Sequence, residues 1–376
     1  MSRTTILLLV SSLHHSLSMT FLDPSTVFKC LMYGPDKVQS KMKSLPSHIP
    51  ANHVLIRVHA AGLNPVDAKK VIGDKLPSFL NFISHRVVRG SIIGFEFSGE
   101  IVSLSPNQHN SPYKPGDAVF GTVPPFVGTL SEYIVAPVDQ IYHMPKIASK
   151  LSYTQAAALP LVGLTALQAL RPYAPKSSDS DQKAILIVGA SGGTGHAAVQ
   201  VAKALGWKEI IAVCSTKNVE FCRQSGATKV MDYTDKSGSE WWLDDTLRNV
   251  GVVFDCVTSA DVRDSQFDYP RKLLPLCKTK YIRLGGPTMD WFYAGCERVL
   301  PITCFRGKEK LFWIRFPDTS GDLQQLAQWC TEGKLTPSVS REVDFAPEAV
   351  QHAMEELLSR RVKGKLVVHI FAGESK

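Results

Sequence analysis

The sequence predicts a two-domain α/β protein in which a partly closed β-barrel precedes a doubly wound parallel sheet. Three observations carry that reading. Residues 27–150 run as short strands punctuated by turns, strands and helices alternate from residue 184 onward, and a glycine-rich turn opens the alternating half. With 376 residues the chain exceeds one ordinary core, and its 44% apolar and 20% charged composition excludes disorder as the main state.

In the first half, 53–60 (HVLIRVHA) and 92–104 (IIGFEFSGEIVSL) are rich in β-branched and aromatic residues. Pro115-Gly116-Asp117 marks a turn, and further strands follow at 118–120 and 131–135. The stretch 156–170 (AAALPLVGLTALQAL) has helical length, and Pro160 starts, bends or interrupts that helix. The polar loop 172–182 reads as a boundary. Beyond it, strands are expected at 184–188, 210–214, 229–231, 252–256 and 281–284. Helices are expected at 194–205 and 218–225, with Gly206 and Gly226 as terminators. Helices at 322–332 and 347–360 and a closing strand at 365–370 complete the chain.

The segment 184–206 reads AILIVGASGGTGHAAVQVAKALG, a buried-type strand, a turn and an Ala/Val-rich helix. Within it lies a dinucleotide fingerprint, with Ala190 in the first glycine position followed by Gly192 and Gly195. A pyrophosphate must approach backbone N–H groups at the helix N-terminus, where a Cβ on residue 192 would obstruct it. Ala190, Ser191, Gly192, Gly193, Thr194 and Gly195 are therefore expected to bind the cofactor, against the plainer reading of a tight turn. An NAD-binding chain would carry an acid about 20 residues on, but 213–217 reads VCSTK. Lys217 and Ser215 suit a 2′-phosphate and Tyr233 the adenosine, so NADPH is the expected cofactor.

The formal charge is +8, yet no block of five basic residues occurs, so nucleic acid is not an expected partner. The apolar run Ile6 to Val10 is far shorter than the roughly 20 residues a bilayer requires, so no integral membrane segment is expected there. Residues 1–26 read either as an extension, with Met19 as a second start, or as a targeting segment. Cytoplasm is the expected location, with a mitochondrion or other organelle as the alternative. Eight cysteines without a C-x-x-C pair suit buried free thiols rather than disulfides or a structural zinc.

In order, GLNPVDAK, IIGFEFSGEIV, PGDAVFG, GTLSEYI, AALPLVGLTALQAL, GASGGTG and GKLVV resemble the quinone oxidoreductase branch of the medium-chain dehydrogenase/reductase family. The tail from Trp313 resembles mitochondrial reticulon-interacting reductases and fungal trans-acting enoyl reductases. The resemblance implies a GroES-like catalytic domain (27–155 and 310–372) interrupted by a Rossmann NADPH-binding domain (156–309). It places Asn64 in the substrate pocket, so Asn64 and, from the same turn, Lys69 and Asp67 are the candidate catalytic residues, with Asn64 donating to the acceptor oxygen or Lys69 doing so or binding an acidic substrate tail. It also places Thr165, Gly285, Gly286 and Lys363 near the cofactor. Asp67 reads equally as a helix cap and Lys363 as surface charge.

Zinc-dependent relatives carry Cys where this chain has Asn64, and His-Glu where it has Phe95-Glu96, so no metal is expected. Mitochondrial-type enoyl thioester reductases carry a tyrosine proton donor where this chain reads IGDKLP, with Lys75 near that place. The expected activity is zinc-independent, NADPH-dependent reduction of a quinone or α,β-unsaturated carbonyl compound. A trans-acting enoyl reductase and a non-catalytic NADPH-binding protein are the alternatives, and a homodimer is compatible with either.

Overall fold

The computed structural model describes residues 25–34, 37–72, 90–106, 110–125, 127–145, 151–176, 183–235, 240–259, 267–286 and 307–371. Strands β1 (Val27–Tyr33) and β2 (Val38–Ser44) form an antiparallel hairpin. Strand β3 (His53–Gly62), almost wholly buried, leads into helix α1 (Pro65–Ile72). It pairs along its length with β4 (Glu96–Leu104), which continues to β5 (Ala118–Thr122). Strand β6 (Tyr133–Pro137) pairs with the first half of β3, whereas β7 (Ile141–His143) pairs with β5. Consecutive strands thus sit at opposite ends of the pairing path, and the sheet curls into the expected partial barrel. The strand expected from residue 92 begins only at Glu96, because Gly94 adopts φ +103° and breaks the extended run.

The helical stretch after the barrel divides at its proline. Helix α2 (Tyr153–Ala157) is capped reciprocally by Ser152 and Gln155, and α3 (Pro160–Leu170) starts with Pro160 in its first turn. The parallel half contains β8 (Ala184–Val188), α4 (Gly193–Ala204), β9 (Ile210–Cys214), α5 (Val219–Gln224) and β10 (Lys229–Asp232). It continues through β11 (Val250–Asp255), α6 (Tyr269–Leu273), β12 (Lys280–Arg283) and β13 (Glu309–Leu311). Their order, β10-β9-β8-β11-β12-β13, is that of a Rossmann sheet, and every pairing is parallel. Every residue of β8, β9 and β11 is buried, as expected for strands covered on both faces. The order reverses between β8 and β11, so a ligand crevice opens at their carboxyl ends.

The chain then passes through α7 (Ser320–Thr331), β14 (Val339–Asp344), α8 (Pro347–Leu358) and β15 (Lys365–His369). Strand β15 pairs antiparallel with the end of β3 and parallel with β14, in the barrel sheet. The division expected at 309/310 falls inside β13, which is hydrogen-bonded to β12. Leu323, Leu326, Trp329 and Leu335 also share the core beneath β8 and β9. Helix α7 lies between the halves, packing on β7 and residues 138–140 of the barrel as well as on α3.

Candidate active site

The glycine-rich turn joins β8 to α4 at the crevice. Gly192 is the extended N-cap of α4 and brings no side chain to the helix end. Among the described residues a Cβ there would meet only the Gly189 carbonyl, at 3.5 Å, which leaves space that a pyrophosphate can occupy. At Gly195 a Cβ would fall 2.1 Å from the Gly189 oxygen, so glycine is required for helix and strand to meet. Ala190 is buried, and Ser191, Gly193 and Thr194 are half-buried beside the turn. These residues fit a dinucleotide phosphate.

Ser215, Thr216 and Lys217 follow β9, with Lys217 exposed. Sequence reasoning missed Asn218. Buried to 8% exposure, it donates from Nδ2 to Ser191 Oγ (3.1 Å) and Ser215 Oγ (3.2 Å), tying the phosphate turn to the exit of β9. Both hydroxyls accept from Asn218 and retain O–H donors. Tyr233 is 43% exposed after β10. Asp232 lies level with Cys214 on the neighbouring strand, and its Oδ1 accepts from the Thr234 hydroxyl and N–H. Across the crevice Asp255, fully buried, holds the turn after β11 through the N–H groups of Val257 and Thr258. Tyr281 also donates to Asp255, at 2.5 Å, and burial beside this acid holds the Tyr281 phenol well above its ordinary pKa. Gly285 packs against this turn, where a Cβ would meet the Thr258 oxygen at 2.6 Å, and Gly286 is buried beside it.

At the barrel side, Asn64, Glu96 and Lys365 form one buried cluster. Lys365 Nζ donates to Leu63 O (2.8 Å), Asn64 Oδ1 (2.7 Å) and Glu96 Oε1 (2.7 Å). Asn64 Nδ2 donates to the same Glu96 oxygen at 2.8 Å, while Glu96 Oε2 accepts from the Leu161 N–H at 2.7 Å. Lys365 is buried, only 4% exposed. Asp67 is fully buried in the first turn of α1. It accepts from the Asn64 backbone N–H (3.0 Å) and the Tyr33 hydroxyl (3.2 Å), the geometry of a helix cap. Lys69 is half-buried on α1. Thr165 donates within its own helix to Leu161 O at 2.7 Å. Lys363 is exposed, with its ammonium 5.2 Å from the Phe221 ring centre. Phe95 stacks on Phe316 at 6.0 Å. Among the described residues no group of three His, Cys, Asp or Glu side chains is placed to hold a metal. Lys75 and its loop lie outside the described residues.

The last strand joins the two halves of this site. Gly364 bridges Gly192, and its N–H donates to Ser191 O at 3.0 Å. The next residue, Lys365, reaches Asn64.

Comparison with known proteins matches residues 50–146 to the alcohol dehydrogenase GroES-like domain and residues 225–368 to the zinc-binding dehydrogenase model. The chain is 38% identical over 347 residues to the human mitochondrial NAD(P)H oxidoreductase RTN4IP1, covering 86% of this chain and 83% of that one. It is 31% identical over 332 residues to the trans-enoyl reductase pgmF of Aspergillus terreus, covering 85% and 86%. The solved quinone oxidoreductase of Coxiella burnetii superposes with a TM-score of 0.70 at 28% identity, covering 92% of this chain and all of that one. The chain therefore belongs to the medium-chain dehydrogenase/reductase family, in its quinone oxidoreductase and enoyl reductase branch, and is an oxidoreductase.

Proposed function

We propose that this oxidoreductase uses NADPH to reduce a quinone or an α,β-unsaturated carbonyl compound without zinc. The observation that carries the reading is the Gly192–Gly364 bridge followed directly by the Lys365–Asn64 hydrogen bond, which brings the phosphate turn and a buried amide donor into one site. The nicotinamide supplies the hydride when bound. The chain's own residues hold, orient and polarise. The α4 N-terminus, with Ser191 and Thr194, receives the pyrophosphate, and Ser215 and Lys217 receive the 2′-phosphate. Tyr233 flanks the adenosine, Thr165, Gly285 and Gly286 border the nicotinamide, and Lys363 adds positive charge at the cofactor end. Asn64 donates to the acceptor oxygen, where negative charge develops. Asp67 acts through the backbone of Asn64, water supplies the proton, and Lys69 borders the acceptor.

Phe95 has no metal-binding atom, and Glu96 is engaged by Lys365, Asn64 and Leu161, which supports zinc independence. We place the domain division with 156–309 as the cofactor domain, extended by β13, and the barrel with its C-terminal return as the catalytic domain. The relatives named mitochondrial support an organelle address in residues 1–26 over the cytoplasm.

Initial rates of NADPH oxidation across quinones, enones and enoyl thioesters test the reading. Turnover with quinones or enones is expected, and no oxidation with any acceptor by protein that binds NADPH contradicts it. A trans-acting enoyl reductase is the second reading, favoured by the fungal relative, and preference for enoyl thioesters selects it. Protein retaining about one zinc per chain against a chelator contradicts the metal-free assignment.

A further inference from the structure

We propose that Lys365 and Glu96 are a pair of positioning residues that fix which way the Asn64 carboxamide faces. This rests on the reading of Asn64 as donor to the acceptor oxygen. A carboxamide has two faces of nearly equal shape, and its neighbours decide between them. Here the neighbours allow one answer. Lys365 can only donate, and it lies 2.7 Å from Asn64 Oδ1. Ionised Glu96 can only accept, and it lies 2.8 Å from Nδ2. Turning the amide over would set donor against donor and carboxylate against carbonyl. Glu96 is itself held, because its other oxygen accepts the Leu161 N–H at the start of α3.

Two consequences follow from counting donors. The ammonium of Lys365 has three N–H groups, and Leu63 O, Asn64 Oδ1 and Glu96 Oε1 engage all three. The lysine therefore serves the amide rather than a cofactor phosphate, although its stem lies against the phosphate turn. A Cβ on Gly193 would come 2.8 Å from Lys365 Cδ. Asn64 Nδ2 has two N–H groups. One is given to Glu96, and among the described residues the other reaches only Gly62 O, at a long 3.4 Å. That second N–H is the one an acceptor oxygen can recruit, and it faces the acceptor only while Lys365 and Glu96 hold the amide.

The double variant Lys365→Met/Glu96→Gln tests this while keeping volume and removing both charges, so that no lone charge is left buried. The Leu161 N–H still requires an acceptor, so the introduced glutamine turns its oxygen there and its NH2 toward Asn64. The Asn64 amide then turns over. In the wild-type protein saturated with NADP+, NMR cross-peaks from the Asn64 carboxamide protons are expected to the residue 96 side chain. In the double variant they are expected at residue 365. The NADPH dissociation constant should stay within about threefold, while kcat falls by about 10- to 100-fold with KM changing less. Wild-type carboxamide protons that contact Lys365 instead of Glu96 overturn the proposal whether or not the variant folds. An unturned amide in the folded variant overturns it too, as does unchanged kcat despite a turned amide. The cross-peaks are read without turnover. A wild type inactive toward every acceptor therefore sinks the proposed function separately, leaving the orientation decided.

Discussion

Lys217 stands exposed just beyond β9, where the chain leaves the parallel sheet beside the glycine-rich turn. The absence of an acid from residues 213–217 and the presence of Lys217 are readable by counting from the fingerprint. A charge-assisted hydrogen bond of about 1.5–3 kcal/mol to the 2′-phosphate predicts that Lys217→Ala weakens NADPH binding by roughly 10- to 100-fold. NADH binding should be almost unchanged. Titration of both nucleotides against both proteins checks this, and equal weakening of the two removes the role given to Lys217. Asp232 lies outside that counting window, and only strand pairing sets it level with Cys214. Lys365 was illegible for the same kind of reason. Its neighbours Leu63, Asn64 and Glu96 lie about 270 to 300 residues earlier, and a lysine between glycine and leucine gives no local sign of burial. Asn218 could have been suspected, since a polar residue just after a strand exit and before an apolar helix often serves a turn. Its bond to Ser191 needed the fold.

Elements were more legible than contacts, because their signals are local. The β8–α4 unit follows from a continuous apolar run, a glycine-rich turn and a small-residue helix, and it spans the expected residues within one position. Gly195 carries the tightest requirement in that unit. Gly195→Ala would place a methyl 2.1 Å from the Gly189 oxygen and 2.7 Å from Ala190 Cα. Backbone must shift, which predicts a loss of about 1–3 kcal/mol in stability and weaker binding of NADPH and NADH alike. Thermal melts with and without nucleotide check both effects, and an unshifted melting temperature with normal binding contradicts the geometry. Departures from the expected elements have local causes that composition conceals. Gly94 shortened β4 by its left-handed backbone, whereas Pro160 takes one of its three expected roles by starting α3. The β13 strand has only three residues, too short for a periodic signal, so the chain's persistence on the parallel sheet past residue 310 was not visible.

Across the whole molecule, the two sheets are joined by a clamp that the sequence does not advertise. His196 on α4 lies beside Thr336, the segment that carries the chain back to the barrel, at 3.1 Å from its carbonyl. Gln200 donates to that carbonyl at 3.1 Å and accepts the Thr336 N–H at 2.8 Å. Burial lowers the His196 pKa below its ordinary 6.5, although the Thr336 carbonyl acts the other way. Above about pH 6.5 the folded and unfolded chains both hold this ring neutral, and its contribution to stability is complete. As pH falls toward the lower folded pKa, only the unfolded chain takes up the proton, so stability is lost. His59, also lowered by burial, contributes with the same sign. The melting temperature should therefore fall below about pH 6.5, and less steeply in His196→Gln. A variant as acid-sensitive as the wild type contradicts the assignment. The parallel sheet and the partial barrel were legible because they follow from repeated local patterns, whereas the strand order β10-β9-β8-β11-β12-β13 was not read from the sequence. How the two sheets meet was not, because that contact joins residues distant in sequence. The proposed reaction passes hydride from NADPH directly to an electron-poor carbon without a metal. Chelator-treated protein supplied with an enone and NADPH deuterated at the transferring position of the nicotinamide tests it most directly. Mass spectrometry should find one deuterium on the β-carbon of the reduced product, with the α-carbon proton drawn from water. A reduced product without that deuterium, or turnover that returns only when zinc is added, would contradict the account.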